Sequence, residues 1–179
     1  NDICHEMSTC FADLLSDRQV TFIPGDAEQL SFPSGQDLIV SCSALQWFVS
    51  PEQFFKRCNA LLSGHGYFAF STFGKENLKE IAAVTGSGLH YYSLEELKKS
   101  LSMHYNIVTA GEERIRLTFA TPLDVLYHLK HTGVTAVCRQ AWTKGDLQEF
   151  CDKYAKLFSC GNAVTLTYHP LYIIARKKP

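Results

Sequence analysis

Polar and aromatic side chains follow two short apolar runs in the first half of the chain. The run at 37–41 leads into Ser-Cys-Ser-Ala-Leu-Gln-Trp at 41–47, and the run at 67–73 ends in Ser-Thr-Phe. Hydroxyl, thiol and amide groups can hydrogen-bond to a ligand, and an indole ring can cover one. Open α/β sheets bind ligands at the carboxyl ends of their strands, so the two runs predict a binding site at one sheet edge.

The segment between the two runs is typical of the helix in a βαβ unit. The first run is rich in β-branched residues, as expected of a buried, central strand. Ser50 is the expected N-cap, Pro51 fits the first helical position, and Gln53 can complete a capping box. Gly64 is expected to end the helix in the left-handed conformation. Strand, helix and strand in this order predict a parallel sheet with a right-handed crossover.

Composition narrows the class of protein. The chain has 179 residues, of which 46% are hydrophobic and 20% charged, and its formal net charge is −1. These values indicate one ordinary domain and argue against nucleic-acid binding, and no apolar stretch predicts a membrane span. The seven cysteines are odd in number and form no C-x-x-C pair, which favours reduced thiols in the cytoplasm over disulfides or a metal site.

The rest of the chain predicts more elements around this unit. Apolar residues between 3 and 15 share one helical face, and Val20–Ile23 predicts a strand. Helices are expected over 75–85 and after a capping box from Ser93 to Glu96. Residues 107–119 and 164–175 alternate apolar and polar side chains and are expected to pair as antiparallel strands.

Two further helices lie between those alternating segments. They are predicted over 122–132 and 144–158, each opened by a threonine N-cap with an aspartate three residues later. We interpret residues 120–160 as a helical lid inserted into a single domain that spans 1–179. No repeat or linker indicates a second independent domain.

Five motifs carry a resemblance that extends over nearly the whole chain. They are Gly25-Asp26-Ala27-Glu28, the Ser41–Trp47 block, Phe70-Ser-Thr-Phe-Gly74, His128-Leu-Lys-His-Thr-Gly133 and Leu166-Thr-Tyr-His169. With these motifs the chain resembles the class I S-adenosylmethionine-dependent methyltransferases, and within them the malonyl-[acyl-carrier protein] O-methyltransferases of biotin synthesis. The last three motifs, in this order and spacing, are the more specific ones.

The resemblance implies a Rossmann-like α/β fold. Its sheet has seven strands in the order 3-2-1-4-5-7-6, with strand 7 antiparallel. In that scheme this chain is expected to begin after strand 2 and to be incomplete at its N-terminus. The glycine-rich motif that follows strand 1 in the family is not visible in the sequence.

The resemblance also implies residues that bind S-adenosylmethionine. Asp2 matches an acid that accepts hydrogen bonds from the ribose hydroxyls, and a helix N-cap is its alternative role. Asp26 matches an acid that accepts from the adenine amino group, beside the backbone of Ala27, and a turn is its alternative role.

The block after the first strand completes the implied cofactor site. Where the family usually has Ser-Asn, this chain has Ser41-Cys42, so a thiol replaces an amide. Gln46 and Trp47 match the family's Gln-Trp. The indole of Trp47 either covers the passage of cofactor or substrate or packs under the lid.

The implied reaction methylates a carboxylate. Because carboxyl pKa values lie near 4, the acceptor is already ionised at neutral pH. It needs cationic or hydrogen-bonding groups that hold it in place rather than a general base. Lys130 and Tyr168 match family positions that could supply such groups. A solvated helix lysine is the alternative role of Lys130, and the favoured one, because lysine is rarely buried without a partner. His169 alternates with Tyr168 along the strand and is expected to be structural.

An acidic acyl carrier protein bearing a malonyl group is the implied partner. Scattered basic residues could form a docking patch for it, or simply part of a mixed surface; they are Lys98, Lys99, Arg114, Arg116, Arg139 and Lys144.

Two other functions remain open at this point. One is a class I methyltransferase acting on a small free acid or a quinone precursor, and the other is a non-catalytic binding module with the same fold.

Overall fold

A computed structural model of the chain describes residues 1–134 and 142–179. Within these residues the helices are α1 (Ala12–Leu15), α2 (Pro51–Leu61), α3 (Lys79–Thr85), α4 (Leu94–Leu101), α5 (Pro122–His131) and α6 (Lys144–Phe158). The strands are β1 (Gln36–Cys42), β2 (Leu62–Phe73), β3 (Tyr105–Glu112), β4 (Ile115–Phe119), β5 (Ser159–Cys160), β6 (Ala163–Tyr168) and β7 (Pro170–Lys177). Two short 3-10 helices, His5–Phe11 and Leu45–Trp47, complete the set.

Four strands form the larger sheet, in the order β1-β2-β7-β3. β1 and β2 are parallel and are joined through α2, so the predicted βαβ unit is confirmed. β7 is antiparallel to both of its neighbours, β2 and β3. These strands have the relative order expected for strands 4, 5, 7 and 6 of the seven-stranded scheme. The 3-2-1 part of that order has no counterpart in the described residues and stays a prediction.

Aromatic residues fill the core beneath the larger sheet. Phe68 on β2 is fully buried, and its ring centroid lies 5.9 Å from that of Phe55 on α2, 5.0 Å from Phe70 and 5.9 Å from Tyr105 on β3. The Tyr105 hydroxyl donates to the carbonyl oxygen of Phe55 at 2.8 Å, so its polar end is satisfied inside the core. These contacts therefore pack α2 against β2 and β3.

A smaller antiparallel sheet, in the order β4-β6-β5, has its own hydrophobic core. Three helices pack on it, and the buried residues are Leu78, Ile81, Val125, Leu129, Phe150, Tyr154, Val164 and Leu166. α5 and α6 begin with the predicted capping boxes, Thr121 with Asp124 and Thr143 with Asp146. We call α5, α6 and this small sheet the roof.

The two alternating segments pair as predicted, but each one divides between the two sheets. The segment 107–119 is interrupted after Glu112, and the segment 164–175 is interrupted at His169. Upstream of the interruption β6 pairs with β4, and downstream β7 pairs with β3. Both backbones of this ribbon therefore pass from the core sheet into the roof.

Several local predictions are wrong. Val20–Ile23 is not a strand, because its neighbourhood offers a single bridge, between Asp2 and Pro24, and no ladder. Gly64 does not end α2, since the chain passes at Leu62 directly into β2. Ser50 makes no side-chain cap, so the predicted box with Gln53 does not form.

The edges of the described structure also differ from expectation. Within the described residues β1 is the edge strand of the larger sheet, and it exposes Leu38 and Val40. The predicted first helix is a 3-10 helix followed by the single turn α1, with no buried residue in either. The predicted helix over 75–85 is shorter, because residues 75–78 form turns that end at Leu78 with a φ of +52°.

Candidate functional site

Asp2 and Asp26 are brought side by side at one end of the fold. The N–H of Gly25 donates to the backbone oxygen of Asp2 at 2.8 Å, which places the two acidic residues on adjoining chain segments. Each carboxylate accepts one bond through Oδ1, Asp2 from the N–H of Cys4 and Asp26 from the N–H of Glu28, both at 2.8 Å. Neither carboxylate caps a helix. Oδ2 of each has no hydrogen bond within the described chain and could accept one from a ligand.

Glu28 connects this acidic corner to the loop after β1. Its two carboxylate oxygens accept from the N–H groups of Val49 and Ser50, each at 2.8 Å. Glu28 thereby accepts the Ser50 N–H that the Gln53 side chain would accept in the predicted capping box. Ala27, next to it, packs against the core of the larger sheet. The role of Glu28 was missed from the sequence, although it belongs to one of the five motifs.

The same loop carries the other cofactor candidates. Trp47 is 48% exposed, so the interpretation that it packs under the lid is wrong. Ser41 and Cys42 close β1, and the Cys42 thiol is exposed. Through Glu28, the loop that carries Trp47 is tied to the segment that carries Asp26. Besides Ala27 and Gln46, the cofactor candidates are Asp2, Asp26, Ser41, Cys42 and Trp47.

Gln46 has a different environment from the one expected. Its Nε2 donates to the Ser43 carbonyl at 2.5 Å, and its Oε1 accepts from the Thr72 hydroxyl at 3.1 Å. Ser43, at φ +51°, in turn donates its N–H to the Ser71 carbonyl at 3.0 Å. The Gln46 amide therefore links the end of β1 to the end of β2 through hydrogen bonds.

A small open depression lies beside these residues. Gln46 and Thr72 line one part of it, and Phe73, His90, Tyr91 and Tyr92 supply aromatic walls. The depression lies at the carboxyl end of β2, which is the sheet edge that the sequence predicts. The acidic residues Asp2 and Asp26 are not among its lining residues.

Tyr168 extends this site into the roof. Its ring centroid lies 6.2 Å from that of Phe73, and its hydroxyl lies 3.0 Å from Nε2 of His128 on α5. Burial raises the pKa of Tyr168, so the phenol stays protonated at neutral pH. In the tautomer with hydrogen on Nε2, His128 donates to Tyr168, whose hydroxyl also lies near the Thr132 side chain.

Lys130 is not brought together with Tyr168. Lys130 is exposed on α5, two residues after His128. Two residues correspond to about 200° around a helix, so the side that His128 turns toward Tyr168 is nearly opposite to Lys130. The expected pair of Lys130 and Tyr168 around one carboxylate is wrong. His128 is the α5 residue that sequence reasoning missed, although it opens the motif at 128–133.

His169 is buried and bonded on both ring nitrogens. Nδ1 accepts from the N–H of Glu76 at 3.1 Å, and Nε2 lies 3.2 Å from the Glu112 carboxylate. Because Nδ1 accepts from a backbone N–H, the ring carries its hydrogen on Nε2. A side chain at Gly74 would put its Cβ 2.6 Å from Cε1 of His169, so this position requires glycine. These contacts fit the structural role expected for His169.

The basic residues differ in whether they are paired. Arg114 binds Glu76 at 2.5 Å and Glu112 at 3.1 Å, and this guanidinium, followed by Lys79, lowers the pKa of Glu76 to about 2. Lys98 pairs with Glu95. Lys99, Arg116 and Lys144 are exposed, and Arg139 lies outside the described residues. Arg114 is thus occupied within the fold and is a poor choice for the docking patch.

Comparisons with known proteins identify the fold. The family described as "Methyltransferase domain" matches residues 1–70. A solved chain from Bacillus halodurans, assigned as a methyltransferase, superposes with a TM-score of 0.68 at 16% identity, over 99% of this chain and 81% of its own. The N-methyltransferase NodS from Bradyrhizobium japonicum, solved with S-adenosyl-L-homocysteine, gives 0.53 at 13% identity, over 99% and 65%. The fold is that of the class I methyltransferases.

A curated relative gives a closer match. The malonyl-[acyl-carrier protein] O-methyltransferase of Bacteroides thetaiotaomicron is 56% identical over 99% of this chain and 72% of its own length. The chain belongs to the malonyl-[acyl-carrier protein] O-methyltransferase family.

In residues 1–134 and 142–179 no helix is both long and apolar enough to cross a membrane. The same ranges contain no group of three or more His, Cys, Asp or Glu side chains that could hold a metal ion.

Proposed function

We propose that the protein transfers a methyl group from S-adenosylmethionine to the free carboxylate of a malonyl group on acyl carrier protein, an early step of biotin synthesis. The observation that carries the proposal is the 56% identity to a relative of that name over 99% of the chain. The aromatic depression and the Tyr168 hydroxyl near it supply a suitable place for the acceptor.

The acceptor carboxylate attacks without help from a base, since it is ionised at neutral pH. Bound S-adenosylmethionine supplies an electrophilic methyl carbon on a sulfonium. The protein has to align the acceptor and exclude water from it. Tyr168 can donate to one carboxylate oxygen and leave the other free to react, and the walls formed by Phe73 and Tyr92 limit access of water.

The cofactor is proposed to bind across the edge formed by the acidic corner and the loop after β1. Asp2 and Asp26 offer Oδ2 acceptors suited to ribose hydroxyls and an adenine amino group, with the Ala27 backbone beside them. Ser41, Cys42 and Trp47 line the neighbouring end of β1. Gln46 contributes indirectly, by fixing that loop.

The acyl carrier protein is proposed to be an acidic partner that docks on the roof. Arg116 on β4, Lys130 on α5 and Lys144 on α6 are exposed cations on roof elements. Arg116→Glu and Lys130→Glu should each raise KM for malonyl-acyl carrier protein roughly 3- to 10-fold at low ionic strength. Lys56→Glu on α2, away from the roof, is the matched control, and malonyl-coenzyme A is the acceptor whose KM should not change.

Residues 120–160 are proposed to act as a lid within one methyltransferase domain that spans 1–179.

The cysteines that the structure describes are all unpaired, which suits a reducing compartment such as the cytoplasm. We propose no nucleic-acid or membrane partner.

Methyl-transfer assays with labelled S-adenosylmethionine test the function. The expected acceptor order is malonyl-acyl carrier protein, then malonyl-coenzyme A, then free malonate. Equal transfer to free malonate or to a quinone precursor would instead support an enzyme acting on small acceptors. If calorimetry detected no binding of S-adenosylmethionine by the full-length protein, a non-catalytic module would replace both proposals.

A further inference from the structure

Asn77 joins the aromatic depression to the strand that presents Tyr168. Its side chain is 5% exposed and lies in the turn before α3. Oδ1 accepts from the N–H of His169 at 3.1 Å, and Nδ2 donates to the Tyr91 hydroxyl at 3.1 Å. The amide orientation is fixed by chemistry, because the His169 N–H can only donate and must face the amide oxygen.

This orientation determines what the Tyr91 hydroxyl can do. A phenolic hydroxyl has one hydrogen to donate, and here its oxygen is already engaged as the acceptor of the Asn77 amide hydrogen. Its own hydrogen finds no acceptor in residues 1–134 or 142–179. Tyr91 is half-buried and lines the depression, so that hydrogen is available to a bound molecule.

Tyr91 and Tyr168 are both neighbours of Phe73. Phe73 lines the depression with Tyr91, and its ring is 6.2 Å from that of Tyr168. Burial raises the pKa of Tyr91, and the nearby Tyr168 adds to this effect. Both hydroxyls are therefore protonated at neutral pH and able to donate.

The same turn holds the backbone on both sides of Tyr168. Leu78 donates its N–H to the Thr167 carbonyl at 2.8 Å, and Gly74 donates to the His169 carbonyl at 2.7 Å. With the Asn77 bond to the His169 N–H, these contacts fix the residues before and after Tyr168. The position of Tyr168 relative to Tyr91 is thereby set through one short segment.

We propose that Tyr91 donates a hydrogen bond to the acceptor carboxylate, next to Tyr168, and that Asn77 is the residue that positions it; this inference rests on the proposed function. Two neutral donors suit the two oxygens of one carboxylate. They bind the charged substrate more tightly than the uncharged methyl ester, because hydrogen bonds to charged groups are the stronger ones. The pair therefore binds the malonyl group in preference to its methyl ester and favours release of the product.

The test compares Tyr91→Phe with the wild type in the full-length protein. KM and kcat are measured for malonyl-acyl carrier protein, and inhibition is measured for acetyl-acyl carrier protein, which lacks the carboxylate. We expect KM for the malonyl carrier to rise about 10- to 100-fold, as for a lost bond to a charged group. The inhibition constant of the acetyl carrier and the affinity for S-adenosylmethionine should not change.

Tyr67→Phe is the matched control, because Tyr67 is the first β2 residue that pairs with β7 and does not line the depression. A Tyr91→Phe protein with the wild-type preference for malonyl over acetyl carrier would overturn the inference. That result differs from failure of the proposed function, in which the wild type itself would neither methylate the malonyl carrier nor prefer it.

Asn77→Asp tests the positioning role separately. One oxygen of the new carboxylate can still accept from the His169 N–H, but the other would accept the Tyr91 hydrogen and withdraw it from the substrate. The variant should therefore match Tyr91→Phe in KM, and the double variant should add little, because both changes remove one interaction. Unchanged thermal unfolding with a wild-type KM would contradict the role of Asn77, and additive effects would contradict the coupling.

Discussion

The Glu80 carboxylate holds Thr167 with both of its oxygens. Oε2 accepts from the Thr167 N–H at 3.0 Å, and Oε1 accepts from its hydroxyl at 2.5 Å, with both residues buried. Glu80→Ala should lower the free energy of unfolding by about 3 kcal/mol, because two buried polar groups lose their partner. Glu80→Gln keeps the shape and an acceptor for the N–H, so most of the stability should remain. Denaturant unfolding of both variants checks this, and equal losses would contradict the hydrogen-bond explanation.

The Arg114 cluster predicts a pH dependence of stability. Arg114 is the main cause that lowers the pKa of Glu76 from 4.5 to about 2, and it is also the first cause that lowers the pKa of Glu112. A lowered carboxyl pKa stabilises the fold above the unfolded-state pKa, and this contribution is lost as the pH falls from about 4.5 to about 2. Arg114→Gln should therefore lower the unfolding midpoint at pH 7 but match the wild type near pH 2.

Chemical denaturation at pH 7, 4.5, 3 and 2 measures that convergence. Lys153→Met, which removes an exposed ion pair with Glu149 on α6, is the control and should change the midpoint little at any pH. A difference between Arg114→Gln and wild type that stays constant down to pH 2 would contradict the assignment.

The cysteines offer a test of the cofactor site that needs no turnover. Cys42 and Cys160 are exposed, while Cys58 is 1% exposed and burial raises its pKa to about 12. Iodoacetamide at pH 8 should label Cys42 and Cys160 in the native protein, and Cys58 after unfolding. S-adenosylmethionine at ten times its Kd should slow labelling of Cys42 about tenfold and leave Cys160 unchanged. Peptide mass spectrometry gives both rates, and equal protection of the two thiols would remove Cys42 from the site.

Phe68 is the centre of the larger core. Its ring contacts four other aromatic rings and is completely buried. Phe68→Ala should lower the free energy of unfolding by about 3–5 kcal/mol, whereas Phe68→Leu should cost less because it leaves a smaller cavity. Val49→Ala, at a side chain that is 90% exposed, is the neutral comparison. Similar losses for alanine and leucine at Phe68 would point to strain rather than to a cavity.

Local signals in the sequence predicted much of the fold. The capping boxes that open α4, α5 and α6 involve residues three positions apart, and all three form. The βαβ unit likewise depends on short-range periodicity, and its strands and helix agree with the prediction within a few residues.

Long-range contacts account for most of what the sequence did not predict. The N–H of Ser50, at the start of α2, is bonded by Glu28, more than twenty positions away, and not by Gln53 of the predicted capping box. The break at His169 depends on bonds to Glu76 and Asn77, more than ninety positions earlier. His128 and Tyr168 both belong to the five motifs, so their contact could have been suspected. That α5 turns His128 and not Lys130 toward Tyr168 depends on how the helix packs, which the sequence does not show.

The division of one ribbon between two sheets limits how the roof can move. If a single strand connected the roof to the larger sheet, the roof could rotate about any single bond of that connection. Here two hydrogen-bonded backbones cross the joint together, at 113–114 and at His169, so twisting is resisted while tilting about the line between these points remains open. Tyr168 lies one residue from that line, so such a tilt would displace it far less than the far ends of α5 and α6.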